Sequence, residues 1–82
     1  MAKVYYYGAL REMVGRKEDS FDIHDIKGCL GAIKKMHGTE AYKEAKRSLI
    51  TINGVSILSM ENFKTSVKDM DEIRFLAICG GG

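Results

Sequence analysis

Few residues in this 82-residue sequence could do chemistry: Cys29 and Cys79, His24 and His37, the run Tyr5, Tyr6 and Tyr7, a basic cluster, and the closing glycines Gly80, Gly81 and Gly82. His24, Cys29, His37 and Cys79 carry the letters of a zinc site. Zinc ligands come in pairs about two to four residues apart, however, and no spacing here fits, so no metal is expected. Two cysteines cannot staple a disulfide mini-protein, nor supply the four thiolates of most iron–sulfur clusters, which excludes a plant-type ferredoxin. Cys79, close to the end, could form a thioester or disulfide with a partner, but a small buried strand residue is the commoner use, and Cys29 reads as helix packing. The tyrosines could stack on bases, although an aromatic strand in a small core is the more usual role. Lys34, Lys35, Lys43, Lys46 and Arg47 make one stretch basic, which is ordinarily a solvated face and also suits an acidic partner surface. No internal nucleophile, general base or metal constellation emerges, which leaves the glycine end as the feature with chemical promise.

Composition narrows the partners. Thirteen Lys and Arg against eleven Asp and Glu leave a net charge of +2, too near neutral to point to nucleic acid. No run of about 18 apolar residues and no signal peptide is present, so neither membrane nor secretion is expected and the cytoplasm is the default. The length allows one small domain, read as residues 1–79 followed by a flexible tail of residues 80–82.

The elements that must hold this end in place follow from local pattern. Lys3 to Leu10, KVYYYGAL, reads as a first strand despite Gly8, and REMVGRKED as a short helical turn and loop. Phe21 and Ile23 alternate with Ser20 and Asp22, giving a second strand able to form a hairpin with the first. Ile26, Leu30, Ile33 and His37 make one helical stripe, with Asp25 as N-cap and Gly38 as the stop. Thr39 to Arg47 reads as a more solvated helix that Thr39 can cap, with Tyr42 and Ala45 on one face. LITINGVSI holds two short β-branched runs around Asn53-Gly54, a strong hairpin signal because both positions tolerate positive φ. After a turn at Asp69-Met70-Asp71, Glu72 to Cys79 makes a last strand. Its faces, Ile73, Phe75, Ala77, Cys79 and Arg74, Leu76, Ile78, are both largely apolar, which suits a central strand with a helix on one side and another cover on the other. The fold class is α+β: a mixed sheet of about five strands, the last parallel to the first as in the β-grasp (ubiquitin-like) architecture, with one main and one short helix packed on one face.

Four segments in order resemble the ubiquitin-like sulfur carrier family (MoaD/ThiS-like), in particular the small subunits of molybdopterin synthase. These are VYYYGALREMVGRKED with its aromatic strand, Arg-Glu pair and Val-Gly turn; INGVSI with its Asn-Gly hairpin; KDMDEI before the last strand; and the terminal Gly81-Gly82. The sequence departs from the family where Ala77 and Ile78 stand in place of a common Pro-Pro pair, and where Gly80 replaces a small polar residue. The thiamine-pathway carriers are shorter, lack the aromatic Arg-Glu opening, and match less well.

The resemblance implies that the Gly82 carboxylate is the reactive group. An adenylyltransferase similar to ubiquitin-activating enzymes (MoeB-like) would adenylate it with ATP and Mg²⁺, a sulfur donor protein would supply the sulfur that displaces AMP, and the thiocarboxylate would donate sulfur inside the molybdopterin synthase large subunit (MoaE-like). Glycine suits these steps: Gly81 and Gly82 can extend through a narrow channel, adopt φ values closed to other residues, and leave the acyl carbon unhindered. The chain binds no cofactor of its own on this reading and acts as co-substrate. Its docking surface is expected from Leu76 and Ile78 with Tyr5 and Tyr7 beside them, together with Gly80. Phe75 stands where the family has an aromatic partner contact, but alternation puts it opposite Leu76, so one of the two is core. Three other functions fit the same features: a protein modifier joined through Gly82 to target lysines, a sulfur carrier for another pathway, and a non-covalent adaptor using its sheet face.

Overall fold

The computed structural model describes residues 1–78. In chain order the elements are β1 (Ala2–Tyr6), α1 (Gly8–Val14), β2 (Glu18–Phe21), α2 (Ile26–His37), α3 (Thr39–Arg47), β3 (Leu49–Ile52), β4 (Val55–Ser56), 3₁₀ turns at Ile57–Ser59 and Asn62–Lys64, and β5 (Glu72–Leu76). The strands form one sheet in the order β2-β1-β5-β3-β4. β1 and β5 are parallel and every other pair is antiparallel, so the last strand is central, as its two-sided apolar pattern requires.

Within β1 the period of two sends Ala2, Val4 and Tyr6 inward and Lys3 and Tyr5 outward. The strand stops at Tyr6 rather than running on to Leu10, because Gly8 takes φ +60 and turns the chain into α1. Leu10 is therefore buried from a helix. α1 ends on Gly15, whose left-handed φ of 79 lets its N–H reach the Arg11 carbonyl, so three helices pack where a main and a short one were expected. β2 lies nearer the N-terminus than the Phe21–Ile23 alternation suggests. Its register with β1, Ala2 to Phe21 through Tyr5 to Glu18, points Asp19 inward to the Tyr6 hydroxyl.

The α2 stripe forms as its spacing predicts, with Ile26, Cys29, Leu30 and Ile33 buried and the Asp25 carboxylate accepting from the Gly28 N–H at 2.6 Å. Gly38, at φ 99, closes α2 and opens α3. Thr39 thus lies inside α3 and does not cap it; Ala41 and Ala45 take the buried positions while Tyr42 is half-buried. Asn53 (φ 50) and Gly54 (φ 87) make the β3–β4 hairpin. The Asn53 side chain also ties this turn to the start of β5, donating to Asp71 at 3.0 Å and accepting from the Glu72 N–H at 2.9 Å.

All three helices contribute buried residues to a single core shared with the inward face of the sheet, including Val4, Tyr6, Ile50, Ile52, Ile73 and Phe75. Among the described residues no helix covers the opposite face. Arg74 and Leu76 are half-buried there, so the expected second cover over β5 is corrected to an open sheet face. No described helix is long and apolar enough to cross a membrane.

Candidate functional site

The expected catalytic pair Gly81 and Gly82, the contact Gly80, the residue Cys79 and the boundary between domain and tail lie outside the described residues. The structure gives their root. β5 ends at Leu76, and Ala77 and Ile78 follow it onto the surface. Gly8 sits against this exit: a Cβ built there would lie 2.8 Å from the Ala77 Cβ. Glycine at position 8 thus satisfies a positive φ and a close approach together. Inside a strand-like aromatic run it was read only as an interruption; the signal for its role is tertiary.

On one side of the exit lies the open sheet face. A row crosses all five strands through Glu18, Tyr5, Arg74, Thr51 and Ser56, fixed by the strand register. The Arg74 guanidinium stands 4.9 Å from the Tyr5 ring centroid and donates to Glu72 at 3.1 Å, while Arg11 stacks 5.0 Å over Tyr7 and donates from Nε to the Tyr6 carbonyl. Hydrogen bonding to Tyr7, and then to Glu72, raises the pKa of Arg74 further above its ordinary value. The face is aromatic, with two guanidinium groups spread over it and Arg74 paired to Glu72.

On the other side is an apolar cleft of about 140 Å³ that Ile78 shares with Leu49, Ile50, Ile57, Leu58 and Phe63. Ile78 and Leu58 are 70% and 72% exposed. Leu58 and Phe63 are not singled out by the sequence reading, although large apolar residues stand out in the otherwise polar run LSMENFK, and Leu49 is read there only as the start of a strand.

Of the expected docking residues, the structure brings Tyr5, Tyr7 and Leu76 to the open side of the β1–β5 pair, whereas Ile78 turns into the cleft on the other side of the exit and does not share a face with Leu76. Phe75 is a correction. It is 0% exposed and packs in the core with its ring 6.3 Å from that of Tyr6, so it offers no surface to a partner, and Leu76 is the member of the pair that faces outward.

A second group of reactive types is closed to chemistry. Asp19 accepts from the Tyr6 hydroxyl and from His37 Nε2, both at 2.8 Å on the same oxygen, and Arg16 approaches its other oxygen at 3.2 Å. Burial, then hydrogen bonding to Asp19, pushes the Tyr6 pKa far up, so this hydroxyl stays a donor and no base. Burial likewise pushes the Cys29 thiol up to about 12, which leaves it without thiolate at neutral pH. No group of three or more His, Cys, Asp and Glu among the described residues is placed to hold a metal ion.

A family model described as the ThiS family matches residues 4–82. No curated protein matches the sequence significantly. Among solved structures, the chain is similar to one in the BexX/CysO complex of Amycolatopsis orientalis, 18% identical with a TM-score of 0.85 over 100% of both chains. It is similar to the small archaeal modifier protein SAMP1 of Methanosarcina acetivorans, 26% identical with a TM-score of 0.83 over 99% of this chain and 95% of that one. It is also similar to a chain in the complex of subunits 1 and 2 of the molybdopterin-converting factor from Helicobacter pylori 26695, 23% identical with a TM-score of 0.66 over 98% and 97%. The α+β, β-grasp architecture expected from the sequence is the one these structures share.

Proposed function

The chain belongs to the ThiS family of ubiquitin-like sulfur carriers, and from that premise we propose that it carries sulfur on its Gly82 carboxylate as the small subunit of a molybdopterin synthase. The carboxylate attacks the α-phosphate of ATP in a MoeB-like adenylyltransferase with Mg²⁺, releasing pyrophosphate. A persulfide on a donor protein then attacks the acyl carbon with loss of AMP, and a thiol reductant cleaves the resulting acyl disulfide to the thiocarboxylate. This delivers its sulfur to a pterin precursor held by a MoaE-like large subunit, leaving the Gly82 carboxylate. The observation that carries this reading is the exit of β5: the central strand runs directly into an exposed Ala77-Ile78 root, flanked by the Tyr5–Arg74 face and the Leu58–Phe63 cleft. Such a root gives a partner two surfaces to grip while Gly81 and Gly82 extend toward its reaction centre.

Each part of the chain has a physical task here. The apolar cleft supplies area that loses water on docking. Arg11 and Arg74, held by stacking and hydrogen bonds, orient the partner and suit an acidic rim. The buried groups contribute no proton transfer, which fits a co-substrate whose chemistry is performed by others. The H. pylori relative is seen in complex with a second subunit, which supports a heteromeric partner of this kind.

A second reading is favoured by the likeness to an archaeal modifier protein: the same activated Gly82 joined to lysines of target proteins. Reconstitution separates the two. The thiocarboxylated chain, mixed with the large subunit and the pterin precursor, is expected to yield sulfurated product in amounts stoichiometric with the chain. Lysine-linked, high-mass conjugates without sulfur transfer would instead establish the modifier.

A further inference from the structure

The helix side carries a second groove, which adjoins the Ile78 cleft through Lys46 and Phe63. It is about 420 Å³ in volume and lies between α2, α3 and the Asn62–Lys64 turn. Its rim bears four ammonium groups, Lys27, Lys34, Lys46 and Lys64, and no carboxylate lines it. Among the described residues none of the four has an acidic partner within 4.0 Å, whereas nearby Lys43 is paired with Glu40. A chain of net charge only +2 thus concentrates four uncompensated cations around one concavity.

The floor is apolar. Leu30 lies at its base, Phe63 forms one wall, and Gly31 leaves space, since a Cβ there meets nothing within 4 Å. Tyr42 is held between Lys34 and Lys46, whose ammonium nitrogens lie 5.0 and 5.3 Å from its ring centroid. Both ammonium groups thus engage the Tyr42 ring, and a nucleobase would have to compete with them to stack on it. The rim also has lysine rather than arginine, lacking the planar fork that recognises phosphate bidentately. A cationic rim over an apolar, glycine-floored pocket fits carboxylates surrounding one inserted apolar side chain.

We infer that this groove docks an acidic segment of a partner protein, with an aromatic or large aliphatic side chain seated over Gly31 and flanking carboxylates on the four lysines. The groove lies on the helix side of the sheet and shares Lys46 and Phe63 with the cleft beside Ile78, so a segment bound there lies next to the tail exit.

The test titrates the ¹⁵N-labelled full chain with the peptide acetyl-Asp-Glu-Glu-Phe-Asp-Glu-Asp-amide, with its Phe-to-Ala counterpart, and with oligothymidylate of matched charge. The Phe peptide is expected to shift the amides of Gly31, Lys34 and Tyr42, with a Kd that rises steeply with salt. The Ala peptide is expected to bind at least fivefold more weakly. The pair Lys34→Glu and Lys46→Glu should weaken binding at least tenfold, and Lys43→Glu less than threefold. Gly31→Leu fills the floor, removes a helix-interior glycine, and should abolish the shifts while the melting temperature holds or rises. Equal binding of the two peptides, tighter binding of the oligonucleotide, shifts confined to the sheet face, or no shifts at millimolar peptide would each overturn the inference.

Discussion

Tyr6 and Tyr5 are neighbours in one strand and do opposite work. On the helix side of the β1–β5 pair, Tyr6 and Phe75 are sealed in the core, and the Tyr6 hydroxyl and His37 share the Asp19 carboxylate. On the other side, Tyr5 and Tyr7 lie under the guanidinium groups of Arg74 and Arg11, and among the described residues no helix covers them. The residue types are alike; the difference is whether water is present. Where it is excluded, aromatic rings supply stability and their hydroxyls need a fixed partner. Where it remains, the same rings spread and position cations at a surface that another protein can cover.

The contrast breaks first at Phe75. Phe75→Ala removes a fully buried ring beneath the central strand and should cost about 3–5 kcal/mol, read as a lowered denaturant midpoint. If stability is unchanged and partner binding alone is lost, Phe75 belongs to the docking face after all. Gly8→Ala is next, at about 1–3 kcal/mol, because an L-residue there is strained at φ +60 and its Cβ meets Ala77. It should also slow sulfur loading by displacing the tail root, and normal loading kinetics would separate the turn from the exit.

Ile78→Lys acts on the other side of the comparison. It should weaken association with the activating or large subunit at least tenfold, about 1.4 kcal/mol, while calorimetry shows an unchanged melting temperature. Equal damage to folding and binding would place Ile78 in the core. Tyr6→Phe is the mildest, at about 1 kcal/mol near neutral pH. Its pH signature is sharper: the folded pKa of Tyr6 lies above the unfolded value of about 10, so its stabilisation is full below that pH and fades as pH rises and the unfolded chain gives up its proton. Tyr6→Phe should therefore flatten the alkaline limb of a stability–pH profile from about pH 10 upward.

Local signals carried much of this architecture into the sequence. Asp25 before an apolar stripe, Asn53-Gly54 between β-branched runs, and a last strand apolar on both faces each state their structure within a few residues. Alternation along EIRFLAIC separates Phe75 from Leu76, yet cannot say which faces the helices, because that depends on pairing with β1 and β3. Gly8 reads as a flaw in a strand until the chain returns some seventy residues later to place Ala77 beside it. Leu49, Leu58 and Phe63 converge on Ile78 only through the β3–β4 hairpin and the two 3₁₀ turns, so the apolar residues of LSMENFK stand out locally while their meeting with Ile78 does not.

The most direct test is the intact mass of the chain after incubation with its adenylyltransferase, ATP, Mg²⁺ and a sulfur source, beside a Gly82-deleted control. Thiocarboxylate-selective alkylation must accompany it, since one oxygen exchanged for sulfur is nearly isobaric with oxidation of a cysteine or a methionine. An alkylatable, ATP-dependent gain present in the full chain and absent from the control is the predicted result. An ATP-dependent AMP adduct that never gains sulfur, or no change at all with a competent enzyme, would contradict the sulfur-carrier account.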